Sequence, residues 1–192
     1  IQVGNIEIAE YRQRIDSISK PASLNVTKIS PLKGDCLVFV DPGLIFSCVD
    51  VWFGGGERDA KFDVAAREFS ATEDLVAKKI RISVYAALIE AWTPSLEVQC
   101  EFIRSESDPA LIELGGLNDL FVVNSFKIGS EGGESGKVDI VYPFESIKLV
   151  RGSLLTSQDI TTKPNRLEKA WSNRLRHALG EVSFQAVVQA GE

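Results

Sequence analysis

The sequence predicts an α/β fold, a pseudo-twofold-symmetric α/β/α sandwich of two strand–strand–helix units around one long helix. Three observations predict it. Cys36-Leu37-Val38-Phe39-Val40 is a short unbroken apolar run, as a strand buried on both faces requires. Ser70-x-x-Glu73 has the spacing of a capping box, and the helix it opens can run to Trp92, before Pro94. Finally, the chain echoes itself. Gly34-Asp35-Cys36-Leu37-Val38-Phe39-Val40-Asp41-Pro42 leads into a helix, and Gly136-Lys137-Val138-Asp139-Ile140-Val141-Tyr142-Pro143 does the same, each preceded by another strand.

Taken in order, residues 3–8 alternate apolar and polar and read as a short strand. Residues 11–18 are ambiguous, with a helical turn as one reading, and Pro21 breaks them. Residues 23–29 alternate again, and residues 31–34 make a turn. Asp41 is a good N-cap and Pro42 suits the first helical position; Leu44, Ile45, Cys48, Val49 and Trp52 then form one stripe that the glycines from Gly54 end. The long helix carries two apolar stripes, Val76/Ile80/Val84/Ala87/Leu88/Ala91 and Leu75/Ile82/Tyr85/Ile89/Trp92. Two stripes predict cover on two sides, with Lys78, Lys79 and Arg81 as a narrow wet edge. Strands are expected over residues 96–103, 111–114, 120–128 and 137–142, with a glycine-rich hairpin loop at 129–136 and a helix from Pro143. Residues 152–164 read as a linker. Residues 165–179 read as an amphipathic helix with Leu167, Ala170, Trp171, Leu175 and Ala178 on one face. Residues 182–188 begin a new strand. The domain division that follows is 1–155, then a linker and helix over 156–180, then the truncated start of a further domain over 181–192.

Composition narrows the function classes. The 192 residues are 44% hydrophobic and 25% charged, ordinary globular usage, so a real core is affordable. A net charge of −6 is the opposite of what a free nucleic-acid binder shows. No apolar run approaches the ~20 residues of a membrane span, and Ile1-Gln2-Val3-Gly4 lacks the basic and apolar blocks of a signal peptide. The chain contains no Met and is expected to be a piece of a longer protein. Cys36, Cys48 and Cys100 form no Cys-x-x-Cys pair and read as reduced core residues of a cytosolic protein.

The candidate site is Phe53-Gly54-Gly55-Gly56-Glu57-Arg58 together with Arg67-Glu68-Phe69. The glycines follow a helix, and no Lys-Ser or Lys-Thr comes after them, so a phosphate loop is excluded. One C-cap needs a single glycine. Three offer bare backbone that another backbone can approach closely. Arg58 and Arg67 flank the corner, with two readings open: pairing with a partner's carboxylates, or solvated surface arginines. Glu73-Asp74 sit in a first helical turn, where they complement the dipole. His177 is the only histidine, which leaves a Ser-His-Asp triad or a His-based metal site without further histidines; no metal or cofactor is expected. The corner therefore reads as a surface gripped by another protein.

Pro31-Leu32-Lys33-Gly34, Asp41-Pro42, Val49-Asp50, Phe53-Gly54-Gly55-Gly56, Arg67-Glu68-Phe69-Ser70-x-x-Glu73, Ala91-Trp92, Arg104-Ser105-Glu106 and Tyr142-Pro143-Phe144-x-x-Ile147 together resemble, in order, the middle domain of the bacterial flagellar motor switch protein FliM. The resemblance covers residues 3–155. The stretch from Trp171 to Val188 resembles the family's linker helix and the first strand of its C-terminal, SpoA-like domain, which related proteins use to bind FliN. The resemblance implies the CheC-like fold and a place in the cytoplasmic ring at the base of the flagellum, on the cytoplasmic face of the inner membrane. It implies binding to FliG through the glycine-rich loop and its neighbours (Gly54, Gly55, Gly56, Glu57, Arg58, Arg67, Glu68 and Phe69), side-by-side contact with FliM neighbours, and a response to phosphorylated CheY that biases rotation. Two positions depart from the pattern: Glu57 stands where the family prefers glycine, in a loop about one residue longer than usual, and Ile147-Lys148-Leu149 replaces Ile-Glu-Pro. The alternative is a CheC-type phosphatase of phosphorylated CheY. Those enzymes carry Glu-x-x-Asn on a helix, and no asparagine here has Glu three residues before it.

Overall fold

The computed structural model describes residues 2–18, 20–54, 67–116, 118–130 and 133–156. One antiparallel sheet runs in the order β1-β5-β6-β3-β2-β4. Its strands are β1 (Gln2–Glu10), β2 (Ser23–Ser30), β3 (Asp35–Val40), β4 (Gln99–Glu106), β5 (Leu120–Ser130) and β6 (Gly133–Pro143). The helices are α1 (Tyr11–Asp16), α2 (Pro42–Trp52), α3 (Ala71–Trp92) and α4 (Phe144–Thr156), with a 3-10 turn at Pro109–Leu111.

The expected duplication is visible in the register. β3 and β6 pair at the centre with Val38 opposite Ile140, and Leu37↔Val141 maps onto Phe39↔Asp139 when the two halves are exchanged. The approximate twofold axis therefore passes through the Val38–Ile140 pair. β2 and β5 flank the centre, and β4 and β1 close the edges. Even the irregularities repeat. β4 shifts register against β2 between Val26 and Thr27, and β1 shifts against β5 between Val3 and Ile6, at matching places.

Strand alternation sorts the side chains into two cores. Cys36, Val38 and Val40 of β3 and Val138, Ile140 and Tyr142 of β6 face α2, α3 and α4. Leu37, Phe39 and Val141 face the opposite side, where Tyr11 of α1 and Ile112 complete a smaller cluster with Leu24, Val26 and Phe121. The outer layers are thus unequal: three helices on one face, and one short helix with a 3-10 turn on the other. Gly136, at φ +149°, lets β6 pass under the start of α2; a Cβ there would lie 2.7 Å from the Leu44 backbone nitrogen.

Several expectations need correction. α3 matches its predicted bounds, but only its first stripe is buried along its length. Leu75, Ile82 and Ile89 are exposed, because α3 is an outermost layer among the described residues, and of the second stripe only Trp92 is buried and Tyr85 half-buried. Arg81, assigned to the wet edge, instead reaches inward to Asn25. β4 begins three residues later than expected, because Ser95 and Leu96 donate back to the Trp92 carbonyl and prolong the winding of α3. Residues 111–114 form no strand; the Tyr11 hydroxyl donates to the Ile112 carbonyl and Arg104 to the Leu111 carbonyl, so side chains take the place of a ladder. The glycine-rich stretch 129–136 is largely strand, with Gly129 paired to Glu134 and Ser130 to Gly133. α4 continues to Thr156, through the start of the expected linker. The predicted helix at 165–179 and strand at 182–188 lie outside the described residues.

One buried charge holds the thin layer in place. Asp139 is fully buried and pairs with Arg14 of α1, with Lys137 Nζ at 3.4 Å as a second cation. Both cations also lie over the Phe39 ring, at 5.9 Å and 5.5 Å. By the duplication, the position of Asp139 corresponds to Leu37, an apolar core residue. Breaking such a pair from one side strands a buried charge. Arg14→Ala should therefore lower unfolding free energy by about 3–5 kcal/mol in urea titrations. The paired change Arg14→Met with Asp139→Leu should recover most of that loss, since it makes the second half resemble the first.

Candidate functional site

The corner is built from the ends of two helices. Asp41 caps α2, accepting from the Gly43 amide at 2.7 Å, with Pro42 in the first turn. The helix stops as Phe53 donates to the Val49 and Asp50 carbonyls and Gly54 donates to Val51, at 3.1 Å. Gly54 has φ +78°, the left-handed conformation that ends helices, and among the described residues nothing lies within 4 Å of where a Cβ would be. Gly55, Gly56, Glu57 and Arg58 lie outside the described residues.

The chain returns at Arg67-Glu68-Phe69, and α3 opens with the full capping box: the Ser70 hydroxyl accepts from the Glu73 amide, and Glu73 Oε2 accepts from the Ser70 amide at 2.7 Å. Arg67 completes the arrangement with a two-pronged pair to Glu73, Nη1 to Oε2 at 2.8 Å and Nη2 to Oε1 at 2.7 Å, and its Nη1 also donates to the Glu68 carbonyl. Phe69 packs edge-on against Phe46 of α2 with ring centroids 6.1 Å apart, and the Arg67 guanidinium lies 5.6 Å from the same ring. Arg67 is thus engaged within the domain rather than held ready for a partner's carboxylate. Its hydrogen bonds, ahead of the backbone cap, hold the buried Glu73 carboxyl down at about 2. Asp74 moves the other way, raised first by burial and then by Glu73 and Glu68.

The structure therefore divides the predicted site. Gly54 stands at the C-terminal end of α2. Arg67 and Phe69 pack beside Phe46, eight residues earlier, about 12 Å back along the helix axis. Glu68 is exposed between them. The composition-level reading missed Val51, and gave Phe53 no role beyond opening the glycine motif; both present apolar side chains to solvent beside Gly54, at 72% and 76% exposure. A signal was available: neither falls on the Leu44/Ile45/Cys48/Val49/Trp52 stripe, so both had to point away from the sheet. A separate groove of about 330 Å³ lies between the first turns of α3 and the ends of β2 and β4, with Phe69, Lys78, Arg81 and Glu106 in its walls. It mixes both signs of charge and holds no His or Cys. No cluster of metal-ligating side chains occurs among the described residues, and none of their helices is long and apolar enough to cross a membrane.

The duplicated sheet with its single thick helical layer places this domain in the CheC-like α/β class. The family described as "Flagellar motor switch protein FliM" matches residues 1–160, and the chain belongs to that family. It is 34% identical over 154 residues to the flagellar motor switch protein FliM of Pseudomonas aeruginosa, covering 80% of this chain and 47% of that protein. Among solved structures it is similar to the FliM middle domain of Vibrio alginolyticus, with a TM-score of 0.70 and 27% identity over 79% of this chain and 83% of that one. It is also similar to a chain of the FliG–FliM complex from H. pylori, with a TM-score of 0.63 and 26% identity over 79% and 81%. The chain spans about half the length of the curated relatives it matches.

The clamp on Glu73 has a pH signature. A carboxyl lowered in the folded state contributes stability that is fully present above its ordinary value near 4.5 and is lost as pH falls toward about 2. The advantage of the wild type over Glu73→Gln should be about 1 kcal/mol near neutral pH and should shrink steadily as pH falls through that window. Thermal melts of both proteins across the range measure it.

Proposed function

We propose that this domain is a non-enzymatic scaffold of the flagellar motor switch that holds FliG at the α2 corner. The observation that carries the reading is the exposed apolar pair Val51 and Phe53 beside Gly54, whose left-handed backbone turns the chain into Gly55-Gly56-Glu57-Arg58. An apolar pair at a helix end, with a run of three glycines beginning next to it, suits close docking by another protein. The relationship to a chain solved in a FliG–FliM complex supports the choice of partner. Glu68 contributes from the exposed rim, while Arg67 and Phe69 act by fixing how the returning chain meets Phe46 and Glu73.

The same reading places FliM neighbours against the side faces of the domain, in a ring at the cytoplasmic face of the inner membrane. Phosphorylated CheY then biases a two-state tilt of that ring by binding one state better than the other. Residues 1–155 correspond to the middle domain, a boundary one residue short of the end of α4. Residues 156–180 supply the linker and helix, and 181–192 begin a FliN-binding domain.

Two outcomes test the proposal. In titrations against FliG of the same source, Phe53→Ser and Gly55→Leu should each weaken binding by about tenfold or more, the scale of losing a buried apolar anchor, with melting temperatures nearly unchanged. Binding that survives both substitutions removes the corner from the interface. Adding the domain to phosphorylated CheY should leave the rate of phosphate loss where it was; an accelerated rate would favour a phosphatase.

A further inference from the structure

Arg81 is a half-buried cation to which the described residues offer no counter-ion. It reaches from α3 to the sheet, where Nη1 donates to Asn25 Oδ1 at 2.9 Å and the guanidinium carbon lies 3.7 Å from the centroid of the Phe102 ring. Asn25 is itself fixed, since its amide nitrogen donates to the Ser23 hydroxyl and the Val38 carbonyl, each at 3.1 Å. An amide oxygen and a ring face thus hold the guanidinium in one place without neutralising it. Among the described residues Arg81 forms no ion pair. Burial pulls it below its ordinary range, with only Tyr85 opposing. A cation removed from water in this way costs free energy until a carboxylate meets it.

Arg81 stands in the wall of the groove beside the first turns of α3, and the duplication shows why that groove is open. Its floor carries Ser23, Ser105 and Ser107. Ser105 lies opposite Asn25 as Ile6 lies opposite Asn124, so Ser105 matches Ile6 and Ser107 matches Ile8. Ser23, opposite Val40, matches Val122, opposite Tyr142. Three apolar side chains of one half are therefore serines in the other, which leave space and present hydroxyls. Lys78, three residues before Arg81, adds a second cation without an ion pair among the described residues. The two carboxylates in the walls do not reach Arg81. Glu106 accepts from Arg104 at 3.0 Å, and Asp74 is seven residues back, about 10 Å along the helix axis.

The mouth of the groove suits a polypeptide better than a free ion. Ser105 is exposed on β4, an edge strand whose outer main chain pairs with no strand among the described residues. Ile82, beside Arg81 in α3, and Phe102 and Ile103 of β4 expose apolar surface. A free oxyanion gains nothing from such surface, whereas a peptide can follow β4 and rest its apolar neighbours there. We infer that the groove is a docking site for an acidic segment of a partner protein, whose Asp or Glu carboxylate enters beside Ser105 and accepts from the Arg81 guanidinium, with Lys78 as the second cation. The site is separate from the α2 corner, and the inference does not rest on the FliG reading.

An NMR titration of the whole 192-residue chain tests this. The probe is the capped peptide acetyl-Val-Thr-Glu-Val-Thr-amide, a strand former with one carboxylate, and its control carries Gln in place of Glu. The Glu probe should move the Arg81 side-chain Nε–H and the Ser105 and Ser107 amides to saturation. It should bind at least about tenfold tighter than the Gln probe, the scale of one charged hydrogen bond. Arg81→Gln should abolish that preference. Ser105→Ile, the residue type the other half carries there, should close the groove with Arg81 intact and weaken the Glu probe by about tenfold or more, with the melting temperature nearly unchanged. If Arg81→Gln lowers the melting temperature, Ser105→Ile and the contrast between the probes decide. Equal binding of the two probes, or undiminished binding after Ser105→Ile, would overturn the inference. Acetate or inorganic phosphate moving the same resonances at lower concentration than the Glu probe would overturn it by making this a free-anion site. The same shifts on raising the protein concentration alone would overturn it by making a second copy the occupant.

Discussion

The antiparallel pairing of β3 with β6 is the constraint on which the rest of the structure depends. Because side chains alternate, one register decides that Cys36, Val38, Val40, Val138, Ile140 and Tyr142 all face the helices. A slip of one residue would turn Asp139 toward α2 and α3 and bring Ile140 to the thin layer, where Arg14 waits. The ion pair between Arg14 and Asp139 therefore works as a register lock as much as a bond. Such buried pairs contribute little net stability compared with an apolar pair of similar size. What this one contributes is discrimination between two arrangements that hydrophobicity alone would leave close together, since Leu37 and Phe39 on the same face would pack against either.

The corner depends on that sheet indirectly. α2 is positioned by Leu44 and Ile45 in the main core and by the backbone contact from the Asp41 amide to the Lys137 carbonyl. α3 is positioned by its buried stripe and, at its far end, by the contact of the Trp92 indole with the Tyr142 hydroxyl. The Arg67–Glu73 clamp and the Phe46–Phe69 contact then tie the returning chain to both helices. Both described ends of the masked stretch, Gly54 and Arg67-Glu68-Phe69, are therefore held by contacts to the two helices.

Much of this was legible in the residues. Asp41-Pro42, Ser70-x-x-Glu73 and the apolar run at 36–40 each carry their structural meaning locally, through capping chemistry and burial, and α2, α3 and β3 formed where those signals put them. The failures share a cause. Arg81 looked like a wet-edge residue because nothing local shows that Asn25, 56 positions away, is its acceptor. Residues 111–114 looked like a strand because their composition suits one, but Tyr11 and Arg104 occupied the carbonyls a ladder would have used. Within the candidate site, the Gly54 turn was readable. The engagement of Arg67 was not, although its acceptor Glu73 is only six residues on, because the pairing depends on how the chain turns into α3.

By itself, the sequence determined the helix boundaries set by caps, the two-faced strands and the repeat that implies a twofold domain, because each rests on interactions between residues close in the chain. Only the tertiary structure decided which stripe of α3 is covered, which charges are consumed internally, and which apolar residues at the corner remain in solvent. Those outcomes follow from which surfaces meet once the strands have ordered themselves as β1-β5-β6-β3-β2-β4, and that order joins residues a hundred positions apart.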